Sequence, residues 1–226
     1  MLKNTPRDLR VEGLILRRTN YGEADRILNI ITPNGKISAI AKGARKEKSK
    51  LAGGIEMFSL ADLNLHFGKS EFATLTGAKM KKVYRNIIKD LSRVELAAEM
   101  LKKINLVSES TDNPEYFNIL KQSFEGIDND YNLDIVRAWF LLNLKGAMGE
   151  EVNLYRDSFG QKLVANDSYS WDIGNNSFSR DSGGEYGAND IKLLRIMVSS
   201  KLALVDKVKV DTGQIAKVLN FVRIVV

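Results

Sequence analysis

His66 is the single imidazole in 226 residues, and the chain contains no cysteine. Thiolate nucleophiles, disulfides, iron–sulfur clusters and Cys-built zinc sites are therefore excluded, as is a multi-His metal centre within one chain. A catalytic role for His66 would be worth naming if a serine nucleophile and an orienting carboxylate could be placed with it, but no G-x-S-x-G turn is present. It reads instead as a solvated or hydrogen-bonded residue on the polar face of a strand. The phosphate-cradling patterns G-x-x-x-x-G-K-[ST] and G-x-G-x-x-G are also missing, which argues against an NTPase or a dinucleotide reader. Glu23, Asp25 and Asp62 offer carboxylates for a magnesium-dependent nuclease. Glu23 and Asp25 lie beside Arg26 in a turn, however, and carboxylates so placed serve mostly as caps or ion-pair partners.

The densest chemistry is cationic. Residues 42–50 hold Lys42, Arg45, Lys46, Lys48 and Lys50 against one acid, Glu47. The whole chain has 34 Lys plus Arg and 28 Asp plus Glu, a net +6, but the charge is unevenly divided. The first 85 residues carry +9 and the remaining 141 carry −3. A run of such density is expected to extend by self-repulsion and to suit a polyanion. Lys36 and Lys42 lead into it. Tyr21, in an earlier turn, either stacks on a base or staples the rim of the element that carries it.

These residues must be positioned by short strands. Residues 11–18 and 26–32 are rich in aliphatic and β-branched side chains, and turn residues follow each of them. The Asn34-Gly35 step predicts a tight hairpin through positive φ. Residues 36–42 put Ile37, Ala39 and Ala41 on one face, with Lys36, Ser38 and Lys42 on the other as an exposed cationic face. Residues 60–67 and 72–80 complete five strands, which close into a small barrel because closure removes exposed edges. Small barrels of this kind bind single strands across strands 2 and 3 and the adjoining loops.

From residue 90 the period changes to 3.6. Leu91, Val94, Ala98, Leu101 and Ile104 define one helical stripe. Asn113 caps a second helix with Pro114 at its first position, which presents Phe117, Leu120 and Phe124. Residues 133–148 are apolar on more than one side and form the central helix of a bundle. Residues 153–188 break the pattern with Gly, Asn, Ser and isolated aromatics, predicting a compact knob. Helices resume with Asn189 or Asp190 as cap, and again with Thr212 as cap. The fold is thus α+β: a small β-barrel over residues 1–84, then an α-helical domain over 85–226 with an inserted knob.

The blocks Glu12 to Arg18, Tyr21 to Arg26, Gly35-Lys36, Ala41 to Lys46 and Ser49 to Gly54 closely resemble the N-terminal domain of the RecO recombination-mediator family of bacteria. The likeness of layout extends along nearly the whole chain. It implies an oligonucleotide-binding (OB) fold and a non-enzymatic DNA-binding protein without a cofactor. Members bind single- and double-stranded DNA and anneal complementary strands. They act with RecR, contact single-strand DNA-binding protein (SSB) and help RecA load onto coated strands. Carried onto this chain, the candidate phosphate contacts are Arg17, Arg18, Arg26, Lys36, Lys42, Arg45, Lys46, Lys48 and Lys50, joined by Tyr21. Arg26 is the least secure, since it could instead be a buried partner of Asp25 or Glu23.

Many relatives carry a four-Cys zinc knob. Here Arg156, Phe159, Gly187 and Asp190 fall where those Cys would be, so the resemblance implies a metal-free, zinc-finger-like insertion held by Phe159, Trp171 and Phe178. Two alternatives of other kinds are an RNA-binding OB-fold protein and the metal-dependent nuclease above. No stretch reaches membrane-spanning length, and residues 1–12 lack the apolar run of a secretory signal, so the expected location is cytoplasmic; the resemblance to a DNA-binding family implies that it is also nucleoid-associated.

Overall fold

The computed structural model describes residues 7–110 and 113–225. The first six residues of the segment read above for a signal peptide lie outside these. Two compact units divide the chain, Met1–Asp128 and Asn129–Val226.

The first unit is built on five strands: β1 (Asp8–Tyr21), β2 (Asp25–Thr32), β3 (Gly35–Ala41), β4 (Ser59–His66) and β5 (Ala73–Val83). They close in the order β1-β2-β3-β5-β4, with β4 returning to β1. All pairings are antiparallel except a short parallel one, Ala39 and Ile40 against Ala73 and Thr74, which seals the barrel between β3 and β5. This is the OB topology. The 14-residue β1 makes closure possible because its first half pairs with β4 and its second half with β2. At the crossover sits Gly13, where a Cβ would lie 2.7 Å from Ile30 and 2.8 Å from Leu63. Only glycine lets the strand bend this closely over the core. Leu28, Ile30, Ala39, Ala41, Leu63, Leu65 and Leu75 fill the interior.

The β2–β3 reversal is tight as expected, with Thr32 paired to Gly35 around Pro33 and Asn34. Its positive φ falls on Gly35 alone, and Thr32 fixes the loop by donating from its hydroxyl to the Gly35 carbonyl at 2.8 Å. Two helices belong to the same unit, α1 (Leu91–Val107) and α2 (Glu115–Asp128). Asp90 caps α1 through the Arg93 amide, 3.2 Å away, and Asn113 caps α2 through the Glu115 amide at 2.9 Å. The phase of α1 differs from the sequence expectation. Leu96, Ala97, Met100, Leu101 and Ile104 are buried, whereas Leu91 is exposed in the first turn and Ala98 faces outward.

The second unit contains α3 (Leu133–Ala147), a small sheet of β6 (Asn153–Asp157), β7 (Tyr169–Asp172) and β8 (Ser177–Arg180), then α4 (Ala188–Ser199), the single turn α5 (Leu202–Val205) and α6 (Thr212–Val225). The sheet order is β6-β8-β7. α3 is central as expected, with eight apolar residues buried, and its Trp139 indole donates to the Ser200 carbonyl at 2.9 Å.

Three local expectations are corrected in this unit. The start of α4 is Gly187, whose amide donates to the Asp190 carboxylate at 3.0 Å, so Asp190 closes the first turn from inside the helix. For α6 the capping carboxylate belongs to Asp211, 2.9 Å from the Gln214 amide, rather than to Thr212. The knob is not held by Phe159, which is 82% exposed. Its core is Phe178, ringed by Tyr169, Trp171, Tyr186 and Phe221 at centroid distances of 5.1–6.2 Å. Phe221 comes from α6, so a ring distant in sequence completes the cluster.

Candidate nucleic-acid interface

The basic segment is not an extended loop. It folds into successive turns, with the Lys46 amide on the Gly43 carbonyl at 3.1 Å and the Ser49 amide on the Lys46 carbonyl at 3.0 Å. Two features overcome the charge repulsion. Ala44 is buried, and three hydrogen bonds tie the segment to the β1–β2 turn. The Gly43 amide donates to Asp25 Oδ1 at 2.7 Å. Arg45 donates from its amide to the Ala24 carbonyl at 2.8 Å and from its guanidinium to the Gly22 carbonyl at 3.3 Å. The turn after β1 and the segment after β3 therefore form one continuous rim at one end of the barrel. Tyr21, 54% exposed, stands at the edge of that turn. Lys42, Arg45, Lys46, Lys48 and Lys50 are all exposed on the rim, and none forms an ion pair among the described residues. A ring beside unpaired cations is the combination that suits a phosphate chain in general.

The remaining four candidates are not brought to the rim. A bulge in β1 between Ile15 and Arg17 shifts the register, so Arg18 stands opposite Leu28 and Arg17 opposite Asn29. Arg18 consequently turns to the barrel wall, donating to Glu56 at 3.0 Å and to the Ile55 carbonyl at 3.3 Å. Arg26 shares the inward parity of Leu28 and Ile30, and its Nε is buried with no hydrogen-bond partner. Among the described residues it pairs with neither Asp25 nor Glu23.

Lys36 is likewise a correction. Its side chain is 9% exposed, with Nζ donating to the Asn105 carbonyl at 2.9 Å and lying 3.3 Å from Glu109. The end of α1 thus covers the face of β2 and β3 on which the sequence predicts an open cationic surface; Asn29 is held there by Asn105 at 2.9 Å. Arg17 remains exposed at the border of this covered face. It lines an open groove of about 540 Å³ with Met57, Phe58, Lys102 and Leu106. Lys102 escaped the sequence reading because only the packing of α1 against β1 brings it beside Arg17.

His66 Nδ1 lies 2.8 Å from Asp8 Oδ1, the strand role expected of it. Asp25 caps the basic segment, and Asp62 stands across the strands from Glu12 and Lys79. Among the described residues no three His, Cys, Asp or Glu side chains gather as a metal site. Arg156, Phe159, Gly187 and Asp190 do not fit zinc, because only Asp190 offers a ligand atom of the usual kind, and that carboxylate is held by the Gly187 amide and by Lys217 at 3.1 Å. No helix among the described residues is long and apolar enough to cross a membrane.

Comparison with known proteins gives this geometry its context. Residues 7–84 match the family described as Recombination protein O N terminal, and residues 89–224 match Recombination protein O C terminal. The chain belongs to the RecO family. DNA repair protein RecO of Dehalococcoides mccartyi is 29% identical over 222 residues, spanning 91% of this chain and 84% of that protein. The RecO of Alkaliphilus metalliredigens is 40% identical over 114 residues, half of this chain and 46% of that protein. That of Roseiflexus sp. is 33% identical over 149 residues, 65% of this chain and 52% of its own. The rim lies wholly within the RecO N-terminal match. The RecO C-terminal match begins before α1, yet α1 and α2 pack with the barrel in the first compact unit.

Proposed function

We propose that this RecO-family chain is a recombination mediator that binds single- and double-stranded DNA through the rim of its barrel, by phosphate contacts from Lys42, Arg45, Lys46, Lys48 and Lys50 and stacking on Tyr21. In this reading it performs no bond-breaking chemistry. It anneals complementary strands and, with RecR, assists RecA onto SSB-coated single strands. The observation that carries the reading is the double attachment of Arg45 to the 22–24 turn, which joins cations and ring into one surface. Phosphate contacts position a strand without reading its sequence, as an annealing protein requires.

Salt dependence is the direct test. Single-strand binding by the five rim cations gives a slope of log affinity against log salt of about −3.5, at roughly −0.7 per contact. Reversing Lys46, Lys48 and Lys50 to Glu lowers the magnitude of that slope by about 2 across all sequences. Affinity independent of salt, or equal binding by the triple variant, would remove the rim as the site. The mediator role is tested by annealing of SSB-coated complementary strands with and without the triple variant.

A further inference from the structure

We propose that the turn of residues 153–164 and the adjoining face of α4 form a second contact surface for single-stranded nucleic acid, a stacking platform built from the second unit alone. It does not rest on the reading of the barrel rim.

The first observation is a rigid turn that holds a ring in solvent. Asp157 is buried, and its carboxylate accepts the Phe159 amide at 3.0 Å and the Gln161 amide at 2.8 Å. Its own amide donates to the Gln161 carbonyl at 2.8 Å. Arg156 closes the tip by donating to the Gly160 carbonyl at 2.7 Å. Five residues are thus fixed, and the one large apolar side chain at their tip, Phe159, points into water.

A second ring stands four residues earlier. Tyr155 is 59% exposed, and the Arg195 guanidinium lies 4.8 Å from its centroid. Arg195 is held there by donating from Nε to the Leu154 carbonyl at 2.8 Å. A ring with a fixed guanidinium on it offers stacking and cation–π attraction together.

The third observation is charge. Arg156, Lys162 and Lys192 are exposed, and none forms an ion pair among the described residues. The nearest acids in sequence are engaged: Asp157 by the turn, Asp167 by Arg180, and Asp190 by the start of α4 and Lys217. Lys192 and Arg195 also line an open groove of about 340 Å³ between residues 163–165 and α4. Protein-docking patches are enriched in aromatic residues and Arg but depleted of Lys, and this surface also carries Lys162 and Lys192. Rings for bases and cations for phosphates, in one short stretch, suit a flexible single strand.

The test is photocrosslinking of the full chain to an oligo(dT) carrying 5-iodouracil, with adducts mapped by mass spectrometry. Adducts on Tyr155 or Phe159 are expected in the native chain and in the Lys46, Lys48, Lys50→Glu variant alike. Phe159→Ala, with an unchanged circular dichroism spectrum, is expected to lower single-strand affinity about five- to tenfold, the lower part of the range for loss of one stacked base. Adducts confined to residues 21–50 would overturn this proposal and leave the rim standing. Adducts confined to 153–164 would do the reverse. No adduct on either ring, with full affinity in Phe159→Ala, would overturn it and assign the rings to a protein partner.

Discussion

Lys36 is held by Asn105: its ammonium donates to that backbone carbonyl at 2.9 Å across the seam between β3 and the end of α1. The cation is a structural tie between barrel and helix, although its strand and its neighbours in sequence suggest a phosphate contact. Lys36→Met keeps the aliphatic stem and removes the tie. Urea unfolding should show a loss of about 1.5–3 kcal/mol, as for a hydrogen bond made by a charged group. Single-strand affinity and its salt slope should stay within about twofold of the native values, since no phosphate contact is lost. A fall in affinity without a fall in stability would return Lys36 to the interface.

Asp25 organises the basic segment by accepting the Gly43 amide at 2.7 Å. Asp25→Ala should speed hydrogen exchange at Gly43, read by mass spectrometry or NMR, and cost about 1–2 kcal/mol of stability. DNA left intact by the native protein during long incubation with magnesium would agree with this capping role. Cleavage abolished in Asp25→Ala would instead assign the carboxylate to hydrolysis.

Tyr21 has two possible roles, stacking or stapling, and its exposure separates them. A ring more than half in water contributes little to the fold, so Tyr21→Ala should leave the melting temperature unchanged and weaken single-strand binding by about 1–3 kcal/mol. Tyr21→Phe should bind like the native chain. A drop in stability with native affinity would make the ring a staple.

Glu12 accepts hydrogen bonds from Lys81 and, at 3.5 Å, from Lys121. The Lys81 hydrogen bond is the larger cause holding its carboxyl below the ordinary value of 4.5, against a smaller opposing effect of burial. A carboxyl depressed in the folded state stabilises above its unfolded pKa and loses that contribution as pH falls through the folded one. Glu12→Gln should therefore be less stable than the native chain at pH 7, by under about 1 kcal/mol for so accessible a cluster. The difference should vanish progressively as pH drops below 4.5. A difference that persists at low pH would show a packing effect.

Phe178 and Phe159 reverse the roles expected of the knob's rings. Phe178→Ala empties the centre of four surrounding rings and should cost about 3–5 kcal/mol. Phe159→Ala, at an exposed tip, should change stability by less than about 0.5 kcal/mol. A chelator should shift the melting temperature of neither, and near-stoichiometric zinc by elemental analysis would overturn the metal-free reading.

The strands of the barrel were legible in number and order because turn residues separate them, although β1 runs beyond its aliphatic stretch at both ends, and the helices because Asn113 and the apolar face of 133–148 are local signals. The density of cations at 42–50 was also local, and the five that remain on the rim come from it. Three outcomes were not local. The bulge between Ile15 and Arg17 changes which face Arg18 occupies, and a one-residue shift exchanges inside for outside along the rest of a strand. Burial of Lys36 depends on Asn105 and Glu109, some seventy residues on. The cluster around Phe178 needs Phe221 from the last helix.

Composition and order of residues alone determined that this chain carries no thiol chemistry, concentrates its positive charge in the first 85 residues and follows barrel with helices. Tertiary structure alone decided which of those cations face solvent. A lysine's charge is a property of its side chain, but its availability is a property of everything packed against it. Of the nine cations offered as phosphate contacts, the barrel's register and one covering helix left five on the rim, turned Arg18 to the wall and Arg26 inward, tied Lys36 into the seam and kept Arg17 at its border.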